Sequence, residues 1–278
     1  MSRERLVITS DDFGASLAVN DGVERAHRDG VLSAASLMVT GDAADDAVAR
    51  ARAMPGLGVG LHLVLVEGRP ALPPERVSAL VGADGRFRTD MVRMAFRIFA
   101  DPAARRQLLA EVDAQFASFA AIGLPLDHVN AHKHFHLHPT IASAVLKVGP
   151  RYGMRAARAP VEPRAVLRRV EPVAGIDIAA PWARLVRHRL RRAGLAVPNQ
   201  VFGLAWTGAV TADRLAALIP HLPPGLTEIY AHPATGSYPG AAPGYDYAGE
   251  LAALTDPRVK AALAARGLVP ERFADLHG

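Results

Sequence analysis

Leu6-Val7-Ile8-Thr9-Ser10-Asp11-Asp12-Phe13-Gly14, residues 6–14, reads as a short buried strand that runs directly into two acids and a glycine. The arrangement recurs: an apolar, strand-like run ends at or near a polar side chain. Gly58 to Leu65 carries His62. Leu126 to Ala131 leads into His128-Val129-Asn130-Ala131-His132-Lys133-His134-Phe135-His136-Leu137-His138. Glu228 to Ala231 leads into His232 and Pro233. Further strands are predicted at Ala35–Val39, Met154–Ala157 and Val201–Ala205. Helices are predicted at about 16–28, 43–54, 102–121, 140–148, 211–220 and 248–264. The longest opens on Asp101-Pro102, a good start signal. Strands alternating with helices predict an α/β fold with a parallel sheet. The expected architecture is a single distorted β/α-barrel domain over residues 1–278, with insertion-like excursions at about 66–100 and 161–200. In parallel β/α folds the C-terminal strand ends meet at one rim, so four remote stretches are expected to converge there.

The chain has 278 residues, half of them apolar, which is enough to bury a substantial core. It contains no cysteine, so disulfides and thiolate metal sites are excluded. The first apolar run is too short for a signal-peptide core. No stretch approaches the roughly 20 apolar residues of a membrane span. These features predict a cytoplasmic protein. The net charge of +5 is local: residues 151–192 hold 11 Arg against Glu162, Glu171 and Asp177, and the rest of the chain is acidic. Within that segment, residues 182–193 place Trp182, Leu185, Val186 and Leu190 at helical spacing opposite arginines. Such a helix can rest on an anionic membrane surface, here the inner face, or pack on the barrel with a solvated basic side. Aromatic residues are too sparse there to suggest nucleic acid. The oligomeric state stays open between monomer and homodimer. Neither a Walker-type phosphate loop nor a GxGxxG fingerprint is present.

Side chains at successive positions of a strand point to opposite faces, but a turn after the strand could bring Asp11 and Asp12 into one pocket. The plainer role for both is helix capping. His62, in so apolar a strand, must find a partner. The run 128–138 holds five of the 11 histidines, and a strand that stayed extended would put all five on one face. Lys133 would then face solvent. Imidazole is the commonest metal ligand. One ion that also binds a water needs only about three protein groups, so not all five can be ligands. A carboxylate with two imidazoles is a common set for zinc or a related divalent ion. His232 suits either proton transfer or a structural hydrogen bond.

Thr9-Ser10-Asp11-Asp12-Phe13-Gly14, Gly60-Leu61-His62-Leu63, His128 to His134, and Glu228-Ile229-Tyr230-Ala231-His232-Pro233, in this order, resemble the YdjC-like carbohydrate deacetylase family. Gly68-Arg69-Pro70, Gln115 and Glu250-Leu251 extend the resemblance over nearly the whole chain. The resemblance implies a distorted TIM-type barrel and hydrolysis of the acetamide of an N-acetylglucosamine-containing substrate. It implies one divalent metal ion on Asp12, His62 and His132, with Asp11 as general base and His232 as general acid or its supporting partner. His134, His136, Asn130 and Arg158 become candidates to line the site. Which of His132, His134 and His136 binds metal stays open. Family members often carry Asp where this chain has Asn130, which keeps a hydrogen bond but no charge. The stretch Ala131-His132-Lys133-His134-Phe135-His136-Leu137-His138-Pro139 further resembles the branch associated with hopanoid biosynthesis, implying an N-acetylglucosaminyl hopanoid lipid.

Two other readings use the same donors. One is a different metal-dependent barrel enzyme, such as a sugar isomerase or phosphoesterase; acetate release separates it from a deacetylase. The other is a non-catalytic metal- or lipid-binding protein, which leaves Asp11 and His232 without a task.

Overall fold

The computed structural model describes residues 4–277 other than 174, 176 and 178, which fall within the second excursion. Six strands form one parallel sheet: β1 (Arg5–Phe13), β2 (Ala34–Leu37), β3 (Gly58–Leu63), β4 (Val129–Ala131), β5 (Gln200–Phe202) and β6 (Leu226–Ala231). Their order is β4-β3-β2-β1-β6-β5. The helices are α1 (Leu17–Arg28), α2 (Ala44–Arg52), α3 (Met91–Ala100), α4 (Pro102–Ile122), α5 (Pro139–Val148), α6 (Arg164–Leu167), α7 (Ala180–Arg192), α8 (Ala212–Leu218), α9 (Tyr247–Thr255) and α10 (Pro257–Ala265). Parallel neighbours need crossover connections. Helix α1 joins β1 to β2, α2 joins β2 to β3, and α8 joins β5 to β6.

The sheet curls until its edges are linked by irregular backbone. Val129 N–H donates to Ala156 O and Arg158 N–H to Val129 O; Ala157 N–H donates to Ala196 O and Val201 N–H to Val161 O. The expected strand Met154–Ala157 is thus reduced to isolated bridges, Val129 with Ala157 and Ala156 with Ala196. The outcome is a single α/β domain shaped as a distorted, incompletely closed barrel.

Alternation along the strands divides two environments. Leu6, Ile8, Leu37, Val59 and Leu61 join the main apolar core with the helices. Val7, Ala34 and Ala156 form a separate small cluster, closed by Phe273 from the C-terminal segment. Beyond that apolar floor the barrel interior turns polar, with Thr9, Ser36, His128, Asn130, Arg158 and Glu228 all buried. Gly60 makes room for this filling: a Cβ there would lie 2.5 Å from His128 Cε1.

Both excursions are held to the barrel. Glu111 of α4 accepts the N–H groups of Ala71 and Leu72, and Gln107 accepts that of Ala79. Helix α3, which the sequence reading had not marked, buries Met94 and Ile98 and exposes Val92, Phe96 and Phe99. Helix α7 covers the predicted amphipathic stretch, but its apolar face is divided. Val186 and Leu190 pack against Ala142, Ala157, Ala159 and Val197, whereas Trp182 and Leu185 remain exposed. Among the described residues, no helix is long and apolar enough to cross a membrane.

Candidate functional site

The first strand does not stop short of the acids but continues through both to Phe13. Its register against β2 slips between Ser10 and Phe13, and Asp12 adopts a φ of 64°. Such an irregularity re-aims side chains out of strict alternation, and Asp11 and Asp12 both line one cavity. Left-handed backbone is costly for a residue with a Cβ and gathers at functional sites. Neither acid caps a helix; Ser16 Oγ does so, accepting Val19 N–H at the start of α1.

Asp12 Oδ1 lies 3.2 Å from His62 Nε2 and 3.0 Å from His132 Nδ1. Candidate ligand atoms of the three residues all lie within 4.8 Å of one another. Asn130 fixes the tautomer of His62. Its Nδ2 donates to Asp11 Oδ1 at 2.9 Å and Ser36 Oγ at 2.8 Å, so its Oδ1 faces His62 Nδ1 at 2.6 Å and accepts the imidazole proton. His62 Nε2 is left as a buried lone pair with no hydrogen-bond partner, turned toward a carboxylate oxygen. Two acceptors so placed, beside a second imidazole, fit a cation between them. One carboxylate and two imidazoles suit zinc and related divalent ions, with room for a further ligand. Asn130 supplies the orienting hydrogen bond that metal-binding histidines usually receive.

The five clustered histidines do not share a face. β4 ends at Ala131, and Lys133 and His134 take φ values of 52° and 53°, which fan the side chains apart. His132 meets Asp12. His134 Nε2 lies 3.0 Å from the Tyr230 hydroxyl, and burial with the Arg158 charge nearby pushes its imidazole well below the usual range. His136 Nε2 lies 2.9 Å from Arg158 O, where it must donate, and burial lowers its pKa to about 4. His128 lies deeper in the barrel. Lys133 pairs with Glu67 at 2.5 Å on the cavity rim instead of simply facing water.

Arg158 is fully buried and bonded to Asp11 and Glu228. Its Nη1 and Nη2 donate to Asp11 Oδ2 and Oδ1 at 2.5 and 2.9 Å. Its Nε and Nη2 donate to Glu228 Oε1 at 2.9 and 2.7 Å. Thr9 Oγ1 also donates to Glu228, and the guanidinium carbon sits 4.6 Å from the centre of the Tyr230 ring. Burial is the largest influence on the Asp11 carboxyl and would raise it, but the Arg158 charge and hydrogen bonds, with the nearby His62 and His232 rings, together outweigh it and hold the group well below the usual carboxylate range.

His232 follows β6. Glu250 Oε2 accepts its backbone N–H and stands 3.7 Å from its Nδ1, an ion-pair distance that falls short of a hydrogen bond. Burial works against the imidazolium, yet Glu250, Asp12 and Asp11 together push the pKa up to about 9. The acids, His62, His132, His134 and His232 open onto a cavity of about 740 Å³ walled by Tyr230, Tyr238, Tyr245 and Tyr247. Asn130, His136 and Arg158 lie behind this lining. Glu228, Tyr230 and Glu250 stood in the quoted motifs without a role, and Ser36, Tyr238, Tyr245 and Tyr247 were not anticipated. As a charge in an apolar strand, Glu228 signalled a buried cationic partner; Ser36 gave no signal.

Residues 5–265 match the family model described as YdjC-like protein. The chain belongs to the YdjC-like family. A carbohydrate deacetylase of Geobacillus stearothermophilus is 33% identical to it over 267 residues, 94% of each chain. One from Mus musculus is 31% identical, covering 96% of this chain and 93% of its own. One from Brevibacillus brevis is 40% identical over 148 residues, 53% of this chain and 56% of its own. Among solved structures, an Enterococcus faecalis protein provisionally described as a cellobiose-phosphate cleavage protein is similar over 99% of both chains. Its TM-score is 0.77 at 24% identity, a likeness of fold. The segments that carry this YdjC-like chain's candidate donors, at Asp12, His62 and His132, all lie inside the matched range.

Proposed function

We propose that this chain is a divalent-metal-dependent hydrolase that removes the acetyl group from an N-acetylated amino sugar. The observation that carries the reading is the Asp12–His62–His132 cluster beside a second, arginine-bound carboxylate in a tyrosine-walled cavity. The full-length similarity to carbohydrate deacetylases supports it. Asp12, His62 and His132 would hold the ion. When bound, a divalent ion polarises an amide carbonyl and acidifies a water.

The chain's own groups account for the proton traffic. Asp11, kept ionised by Arg158, serves as general base for the attacking water. His232, whose pKa is raised to about 9, holds a proton at neutral pH for the departing amine. The tyrosine wall gives a sugar ring apolar faces and hydroxyl partners, as ligand cavities commonly do. Acetate release from a panel of N-acetylglucosamine conjugates tests the reading. Acetate is expected, with turnover falling at least about 100-fold on chelation and returning with added divalent ion. Phosphate release or sugar isomerisation without acetate would replace it.

We further infer a lipid-borne acceptor, in line with an N-acetylglucosaminyl hopanoid, met at the cytoplasmic face of a membrane. The exposed Val92, Phe96 and Phe99 of α3 and Trp182 and Leu185 of α7, set among arginines, support it. Co-sedimentation with anionic vesicles at low salt is expected, weakened several-fold by Phe96→Ser with Trp182→Ser. Absence of binding at low salt removes this part of the proposal.

A further inference from the structure

A line of buried polar side chains runs inside the sheet from the barrel floor to Asp11, and the chemistry above gives it no task. At its lower end, Asp127 Oδ1 accepts Ala274 N–H at 2.8 Å and its Oδ2 accepts Phe273 N–H at 3.3 Å. Asp127 Oδ2 also lies 2.9 Å from His128 Nδ1. His128 Nε2 lies 2.9 Å from Ser36 Oγ, and Ser36 Oγ lies 3.2 Å from Asp11 Oδ1. Ser36 and His128 are fully buried, and Asp127 nearly so.

Counting protons orders the line. An ionised carboxylate only accepts, so the contact with Asp127 requires the proton on His128 Nδ1. A neutral imidazole then offers a lone pair at Nε2. Ser36 already accepts from Asn130 Nδ2 at 2.8 Å and has one proton to give. Two acceptors compete for it, and His128 Nε2 is the nearer.

We propose that Asp127 and His128 are positioning residues that draw the Ser36 hydroxyl proton away from Asp11. The inference rests on Asp11 acting as the base. Asp11 already accepts two hydrogen bonds from Arg158 and one from Asn130. A carboxylate has about four lone-pair sites, so a fourth donor would compete with water for the one acceptor site that Asp11 has left. With Asn at position 127, the side-chain amide can donate to His128 Nδ1. His128 then carries its proton on Nε2 and donates to Ser36 Oγ, and the hydroxyl turns onto Asp11. The logic is that of the carboxylate that sets the imidazole tautomer in serine protease triads.

The test combines Asp127→Asn, Ser36→Ala and the double variant with kcat and KM for acetate release from di-N-acetylchitobiose, and with ¹⁵N NMR of the His128 ring. In the wild type, His128 is expected to be neutral with its proton on Nδ1, a reading that needs no variant to fold. In Asp127→Asn the proton is expected on Nε2, with kcat lowered about ten-fold at unchanged KM and metal content, the size of one charge-assisted hydrogen bond. In the Ser36→Ala background, the same change is expected to cost nothing further, because no hydroxyl remains to turn. An equal loss in both backgrounds would mean that Asp127 merely anchors the C-terminal segment. That result, wild-type kcat in a folded Asp127→Asn protein, or a wild-type His128 protonated on Nε2, overturns the proposal. The underlying reading fails differently: Asp11→Asn would then turn over like the wild type, while the NMR would still decide the order of the line.

Discussion

Arg158→Met is expected to lower the thermal midpoint on the order of 10 °C and to cut turnover at least about 100-fold, the range of a lost general base. The guanidinium is fully buried and is bonded to two buried carboxylates, Asp11 and Glu228. Removing one partner of such a group costs about 3–5 kcal/mol, because the remaining charges keep their desolvation penalty. Methionine fills comparable volume, so the loss should reflect charge more than a cavity. The dependence on pH follows from the sign of the Asp11 shift. Its pKa is depressed in the folded wild type, so its contribution to stability is present above the ordinary Asp value of 3.8 and is lost only as pH falls below that value. Without Arg158 the burial effect, the largest of the influences on Asp11, loses its main opponent and moves the folded pKa upward, so the variant is penalised at neutral pH and relieved as Asp11 protonates. The stability gap between wild type and variant should therefore narrow as pH falls toward 3.8. Arg158→Lys should recover part of the stability and less of the activity, since an ammonium cannot reproduce the forked contacts. Calorimetry across pH with acetate release checks this; a gap that widens on acidification would contradict the charge argument.

Strand-end logic carried most of the site. Asp12, His62 and His132 come from β1, β3 and the segment after β4, and a parallel sheet brings such ends to one rim. Period-two alternation holds as far as His128 and Asn130, which are both buried in the barrel interior. It failed at Lys133 and His134, whose left-handed backbone is uncommon for any residue with a Cβ and is not announced by a glycine or a turn motif in the run. The slip at Asp12 was equally hidden: a register irregularity is a property of two strands, and sequence shows one at a time. Arg158 was noted as a residue near the site, but its bonds to Asp11 and Glu228 depend on an edge that closes through bridges only. The division of the 182–193 apolar face was illegible for a related reason. Helical spacing names a face, while the neighbours that cover part of it, Ala142 and Val197 among them, are remote in sequence.

The donor cluster makes the other large prediction. Asp12→Asn or His132→Gln is expected to leave the protein folded, reduce bound divalent metal from about one equivalent to well below it, and lower turnover about 1,000-fold. That factor corresponds to several kcal/mol of Lewis-acid assistance at 1.36 kcal/mol per ten-fold. Asn130→Ala should act more gently, about ten- to 100-fold on metal affinity, because it releases the His62 ring without removing a donor atom. His136→Gln is the discriminating control. His136 lies on the same histidine-rich run but spends its Nε2 on Arg158 O, so metal content should match the wild type. Metal analysis of the purified variants separates these outcomes. If His136→Gln emptied the site and His132→Gln did not, the ion would belong to a different set of donors, and Asp11 would no longer stand beside it.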